Sequence, residues 1–494
     1  MYLVQNLILY SLSNFIPETI LVVTIIVCII ADLIIRKKSF AVTFVAIVGL
    51  VLSFVFVVKQ WGLSMSIFSG MLAIDNYAVF FKLLFIISTL FILLFVETSK
   101  EMKTASHKNE HVYLILSLTT GAYLMASSVN LIMMYISLEM VSLTSYILAG
   151  YLKKDKRSTE AAIKYIIYGA ASSGIMLYGM TLIYGYTATM NINEIFLYLS
   201  KNPITDTPVL LASVIMISAG FGYKISSVPF HFWTPDVYEG APIPITAFLA
   251  VTSSAAGFSV LVRFFLVGFA NTEIITAVKW QEVIIVFSIA SMIIGNFVAV
   301  WQTSLKRLLA YSSIAQSGYI LLGLAVVNSA GLFAVILYLS AYLFMNLGAF
   351  YVTILIHNKL GTDNMDEMDG LGYRSPFIGV TMAVFMFSLA GIPATVGFIG
   401  KFYIFSALIN TNSPNLTWLA VVGLLNSVVS LFFYVKVLKH MFLNKPEKPL
   451  PELDYGYANI LITLLLAVPT ILFGLYFTPL LRLAENSIKI FGLN

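Results

Sequence analysis

An all-α polytopic membrane protein with about fourteen transmembrane helices is the fold that three features of this 494-residue sequence predict. Hydrophobic residues make up 60% of the chain and charged residues only 10%, against about 25% charged in soluble domains. The apolar residues come in runs of about 20, the length at which a helix crosses a hydrocarbon core roughly 30 Å thick. Lys and Arg gather in alternate connections between those runs, the pattern that orients membrane helices.

The runs fall at residues 15–35, 40–59, 76–97, 111–127, 129–150, 160–186, 207–232, 243–268, 277–300, 305–327, 331–357, 377–410, 416–440 and 457–482, giving helices 1–14 in chain order. Residues 1–12 read as a short interfacial segment. Helices 1–3 lie in residues 1–110, ahead of a first half at 111–268, a second half at 277–440, and helix 14 within 457–494. Small residues follow Lys164 in helix 6 (Gly169 to Gly174) and favour close packing of neighbours. In helix 7, Gly220, Gly222 and Pro229 surround Lys224 and predict an interruption at the charge. Helix 12 is too long for one straight crossing, and Gly391, Pro393, Gly397 and Gly400 predict a break within it. Matched breaks in two halves are the mark of inverted repeats.

Eighteen Lys and Arg, from Arg36 to Lys448, follow odd-numbered helices, and six lie on the other side. The richer side is cytoplasmic by the positive-inside rule, so both termini face outward. The net charge of +5 is thus topological rather than a nucleic-acid footprint. No basic stretch precedes a cleavage site, so no removable signal peptide is expected. The loops are short, which leaves a single membrane domain, 1–494. The one cysteine, Cys28, lies in apolar helix. No Cys/His cluster suits iron–sulfur, haem or zinc, and no glycine-rich phosphate loop is present, so electron transfer and nucleotide hydrolysis are not expected of this chain.

Charges inside the runs point to function. A carboxylate at a helix centre costs about 2.5–3.5 kcal/mol on insertion scales, so it needs a partner, a proton or a wet cavity. Glu139 sits near the middle of helix 5. It is either a proton-handling group or a neutral acid that merely packs. Lys224 is its natural partner, as a switchable pair or as a static one. Burial lowers a lysine pKa and a nearby carboxylate raises it again. Lys401, on the broken helix 12, matches Lys224 by position. Lys164 lies a few residues into helix 6, as a buried relay or a side chain snorkelling to the cytoplasmic surface. His231 falls seven residues after Lys224, two turns on if helix resumes. It serves as a proton relay or as a loop hydrogen-bonder. Asp236 and Glu239 read as a solvated cap on helix 7, and Lys82 as a snorkelling residue of helix 3. Hydroxyls at Thr252, Ser253, Ser254, Tyr311, Ser312 and Ser313 hold water or pack helices. One acid and three amines in an interior otherwise almost free of charge suggest a proton path.

With those residues placed, the chain resembles the antiporter-like membrane subunits of proton-translocating NADH:quinone oxidoreductase (respiratory complex I), and among them the subunit N branch. The segments carrying the likeness are Phe221-GYKISSVPFHFWTPDVYEGAPIPITAFLA-Val251, Leu305-KRLLAYSSIAQSGY-Ile320 and Leu389-AGIPATVGFIGKFYIF-Ser406. The resemblance implies two inverted five-helix repeats, helices 4–8 and 9–13, with helices 7 and 12 interrupted. It implies proton-path roles for Glu139, Lys164, Lys224 and Lys401, with His231 as the histidine after the helix 7 lysine. Two positions depart from the family pattern: Ser254 stands where a helix 8 lysine is common, and Gln316 where helix 10 often has histidine. A link between Lys224 and Lys401 would then run through water held by hydroxyls and amides.

The implied function is proton translocation coupled to quinone reduction in other subunits, which would hold the flavin, iron–sulfur clusters and quinone; this chain would hold no cofactor or metal. The implied partners are an antiporter-like neighbour, small membrane subunits, the lipid bilayer and protons. The implied setting is a bacterial inner membrane. A subunit of a multi-subunit cation/proton antiporter and a non-pumping assembly scaffold are the alternatives.

Overall fold

The computed structural model describes residues 2–35, 40–105, 109–410, 416–445 and 456–492. Of the eighteen basic residues assigned to the cytoplasmic side, Arg36, Lys37, Lys38, Lys108 and Lys448 lie outside the described residues. Helix occupies all fourteen expected runs. Helices 1–6 are Ile16–Ile35, Phe40–Lys59, Asn76–Thr98, Glu110–Ser127, Leu131–Ala149 and Lys156–Thr187. Helices 9, 10, 11 and 13 are Trp280–Val300, Leu305–Ala325, Ser329–Leu360 and Thr417–Phe442. Among the described residues twelve helices are long and apolar enough to cross a membrane, or thirteen if Met365–Arg374 and Pro376–Ala390, bent by 117°, form one span. The fourteen expected thus exceed the number that qualify by length and composition. Glu110–Ser127 falls outside the twelve, with Glu110, His111, Ser117, Thr119 and Thr120 diluting its apolar run.

Both expected interruptions are present. Helix 7 runs Thr207–Lys224, stops at the lysine, and resumes as Thr234–Gly240. The backbone freed between them finds partners, as burial requires: Ser227 N donates to Gly222 O at 2.8 Å, and Val228 N to Ser291 Oγ at 2.9 Å. The Trp233 indole N–H donates to Tyr223 O at 3.1 Å. Helix 12 divides into Pro376–Ala390 and Val396–Ile409. Gly391 ends the first piece at φ +89°, in the left-handed region glycine enters without strain.

Helix 8 is the centre of the molecule. It runs Ile243–Gly268, and its most apolar stretch is wholly buried, against 22% for helix 1. A π-turn at Leu249–Ser253 interrupts its α-helix just before Ser254, a distortion common at functional sites. Helices 9 and 10 pack through glycines that admit close backbone approach: a Cβ on Gly295 would lie 2.6 Å from Ala315 N, and one on Gly318 2.7 Å from Ser288 O.

The fold is all-α apart from one small hairpin between helices 2 and 3, where Met65–Ile67 and Leu72–Ile74 pair antiparallel with Ile67, Leu72 and Ile74 buried. Three expectations are corrected. Helix 14 ends at Leu475, and residues Thr478–Ser487 form a separate short helix. Lys82 does not snorkel; it is buried against Glu18 at 2.6 Å. Arg263, counted among the outer loop charges, is fully buried and forks onto Asp75 at 2.7 and 2.9 Å, a bidentate geometry that compensates for lost water.

Candidate functional site

Helix 5 presents Glu139, Ser142 and Tyr146 at three- and four-residue spacing, which places them along one face. Lys224 ends the first piece of helix 7 and is 1% exposed. Its Nζ donates to Ser142 Oγ at 3.2 Å. Among the described residues no ion pair closes between Lys224 and Glu139, although Lys224 lies within reach of the Glu139 charge. Glu139 is partly buried, and its Oε1 is sealed from solvent without a hydrogen-bond partner among the described residues. Lys224 therefore takes Ser142 as its side-chain partner, with no bond closed to Glu139. Three stacked or tilted rings, Tyr165, Tyr223 and Trp233, wall this site, with Tyr165 and Trp233 4.3 Å apart.

Lys401 is 4% exposed and lies in the second piece of helix 12, from which its side chain reaches back to the break. Its Nζ donates to Leu389 O at 3.2 Å and Ala390 O at 2.9 Å, and sits 4.4 Å from the Tyr319 ring. The carbonyls released by the break are thus met by an ammonium at a helix C-terminus, where the backbone dipole favours positive charge.

Helix 10 spans the interval between the two lysines. Ser317 Oγ donates to Ile225 O at 2.6 Å, one residue beyond Lys224. Its neighbour Gln316 donates to Leu389 O at 3.0 Å, the carbonyl that also receives Lys401. Two adjacent side chains on one helix therefore touch the breaks of helices 7 and 12. Gln316 also donates to Tyr434 OH at 3.1 Å and accepts from Tyr338 OH. Tyr434 OH meets Ser312 Oγ at 2.5 Å, and Tyr342 OH donates to Ser313 Oγ at 2.9 Å. Ser254 turns back instead, donating to Leu249 O across the π-turn at 3.2 Å. Tyr238 OH is buried with no partner among the described residues.

Lys164 is not in the interior. Its side chain is 36% exposed, and it pairs with Asp236 at 2.6 Å and Glu160 at 2.7 Å. Arg307 pairs with Asp236 at 2.9 Å and Glu239 at 2.6 Å. These groups, with Arg157, line a cavity of about 230 Å³. Asp236 and Glu239 are therefore members of a charge network rather than a solvated cap. Burial raises the Asp236 carboxyl, but the bonds from Lys164 and Arg307 outweigh it and hold the group below its ordinary value. Asp236 thus stays ionised at neutral pH, a fixed counter-charge for Lys164. His231 lies in the turn between the pieces of helix 7. Helix does not resume until Thr234, so two-turn spacing from Lys224 does not apply. His231 is 6% exposed, and its Nδ1 has no partner among the described residues.

Sequence reasoning found the charged residues and missed their neutral partners. Ser142 lies in a helix with several serines, and nothing in its spacing marks it. Ser312, Ser313, Gln316 and Ser317 stood in a motif already singled out, and the structure gives them bonded partners.

Residues 128–430 match the family model described as NADH:quinone oxidoreductase/Mrp antiporter, TM. The chain is 46% identical to NADH-quinone oxidoreductase subunit N 2 of Chloroherpeton thalassium, over 97% of this chain and 95% of that protein. It is 42% identical to NADH-quinone oxidoreductase subunit N of Chlorobium chlorochromatii, over 98% and 96%. Among solved structures it is similar to a chain of respiratory complex I from Thermus thermophilus with bound aureothin, at TM-score 0.79 and 28% identity, covering 95% of this chain and 99% of that one.

Proposed function

Since the chain belongs to the NADH:quinone oxidoreductase/Mrp antiporter transmembrane family, in its subunit N branch, we propose that its protons pass from the Lys164 cluster through His231 to Lys224 and then along helix 10 to Lys401. The chain is a proton-translocating, antiporter-like membrane subunit of NADH:quinone oxidoreductase, and so part of a translocase. The observation carrying the proposed route is the pair Ser317 and Gln316, one bonded to the carbonyl next to Lys224 and the other to the carbonyl that receives Lys401.

Glu139 sets the charge state of Lys224. With the carboxylate close, Lys224 keeps its proton. With the pair open, Lys224 has only the neutral Ser142 hydroxyl as partner, and the proton moves toward Lys401. Two unit charges 4 Å apart interact by about 4 kcal/mol at an effective dielectric near 20. Moving one charge through 100 mV takes about 2.3 kcal/mol. One ion-pair rearrangement is therefore large enough to drive one proton.

Flavin, iron–sulfur clusters and quinone belong to partner subunits on this reading, and an antiporter-like neighbour and small membrane subunits pack beside the chain. The membrane is the bacterial inner membrane, with both termini on the outer side. Residues 111–268 and 277–440 act as inverted repeats, each holding one broken helix. The test is proton translocation by the reconstituted complex with Glu139→Ala or Lys224→Ala. The route predicts fewer protons per NADH in both, and wild-type yield in both would refute the assigned roles. Ser254, in place of the usual lysine, favours one rival reading, a scaffold that assembles without pumping. Unchanged pumping after Lys401→Ala would support that reading.

A further inference from the structure

Glu18 and Lys82 form an ion pair that the route above does not use, outside the 128–430 segment that the family model matches. Lys82 Nζ is 2.6 Å from Glu18 Oε1, with the two side chains 1% and 3% exposed. Such a pair is a poor stabiliser, because removing each ion from water costs several kcal/mol and packed apolar groups often do better. Its bonding is also incomplete. Lys82 has a second acceptor in Gln60 Oε1 at 3.3 Å, but Glu18 Oε2 is buried with no partner among the described residues. A staple between helices 1 and 3 gains nothing from a bare carboxylate oxygen, whereas a group that alternately holds and releases a proton needs one.

The surroundings give it connections on both sides. Glu18 lies in the first turn of helix 1 and Lys82 in the second turn of helix 3, near the outer ends of both. Gln60, at the outer end of helix 2, ties Lys82 to that face and donates to Asn14 O at 2.7 Å. The Tyr123 ring lies 5.8 Å from the ammonium, and its hydroxyl meets Ser53 Oγ at 3.2 Å. Toward the membrane centre, helix 3 continues to Ser88 and Thr89. Ser88 Oγ accepts from Thr252 Oγ1 at 2.7 Å, inside the π-turn of helix 8 and two residues from Ser254. Thr89 Oγ1 meets Thr119 Oγ1 of helix 4 at 2.8 Å. Hydroxyls therefore link the centre of helix 8 to the helix that carries Lys82.

We propose that Glu18 and Lys82 are a proton-holding station on an outer-side branch that leaves the central path at helix 8. The Lys82 ammonium gives its proton to the Glu18 carboxylate, leaving a neutral amine and a neutral acid in place of the ion pair. The acid releases that proton to outer water past Gln60. The amine takes up a proton arriving by way of the Thr252 and Ser88 hydroxyls and intervening water. One proton has then moved outward, and the pair is restored. The inference rests on the reading that the Lys224–Lys401 path carries protons.

The discriminating variant is Lys82→Arg in the complete reconstituted complex, measured beside Lys224→Ala. Arginine keeps the charge and can bond Glu18 but does not give up its proton. The station predicts that protons per NADH fall below wild type, though less far than in Lys224→Ala because the Lys401 arm remains, whereas a staple predicts wild-type yield and overturns the inference. Wild-type yield in Lys224→Ala as well would overturn the central route instead. If the arginine variant does not assemble, the neutral double variant Glu18→Gln/Lys82→Met leaves no lone buried charge and decides in the same way.

Discussion

Lys224 ends the first piece of helix 7, Lys401 reaches from the second piece of helix 12 back to the end of the first, and each ammonium is held by neutral oxygens, a hydroxyl for one and two carbonyls for the other. Neutral partners hold a proton without trapping it, which distinguishes these lysines from Lys164, clamped by two carboxylates. Gln316 is the neutral group with most to lose. Gln316→Leu removes partners from Leu389 O, Tyr434 OH and Tyr338 OH. A lost hydrogen bond between membrane helices costs about 0.6 kcal/mol on average, so the variant should still assemble. Protons per NADH should drop severalfold, and Gln316→Glu should retain most of the yield; equal yields from both would remove Gln316 from the path. Glu139, Lys224 and Lys401 were legible in the sequence because a charge inside an apolar run is conspicuous. Lys82 was misread because its distance from a helix end suggested snorkelling, and its partner Glu18 is remote in sequence. Ser142 was illegible because a helical serine is ordinary until its partner is known.

At the scale of elements, the two breaks and the helix 9–helix 10 contact hold the route in place. Helix 10 must lie close enough to helix 9 for Ser317 and Gln316 to reach both breaks. Gly318→Leu would force a side chain against Ser288 O and Met292. Overpacking of this kind typically costs about 1–3 kcal/mol. The variant should give less assembled complex and a lower melting temperature in detergent, followed by tryptophan fluorescence; an unchanged melt would mean the contact is slack. The breaks were legible because glycine and proline flank both lysines. The π-turn was not, since Leu249–Ser253 contains neither residue. The hairpin was also missed, as its two strands are three residues each and lie in a short connection.

For the molecule as a whole, burial falls from helix 8, whose most apolar stretch is wholly buried, to helix 1, where 22% of it is. Its orientation is testable with few changes, because Cys28 is the one cysteine and is buried. In a Cys28→Ser background, single cysteines at either terminus should react with an impermeant maleimide added outside the cell membrane. Labelling only after permeabilisation would invert the topology. The most direct measurement concerns the route itself. Protons per NADH should be determined in proteoliposomes for complexes carrying Lys224→Met, Lys401→Met and both. Two groups in series are non-additive, since either loss stops the same flow. The double variant should therefore lose no more than the worse single variant. Losses that sum across the two would show two independent proton routes and contradict a path joined through helix 10.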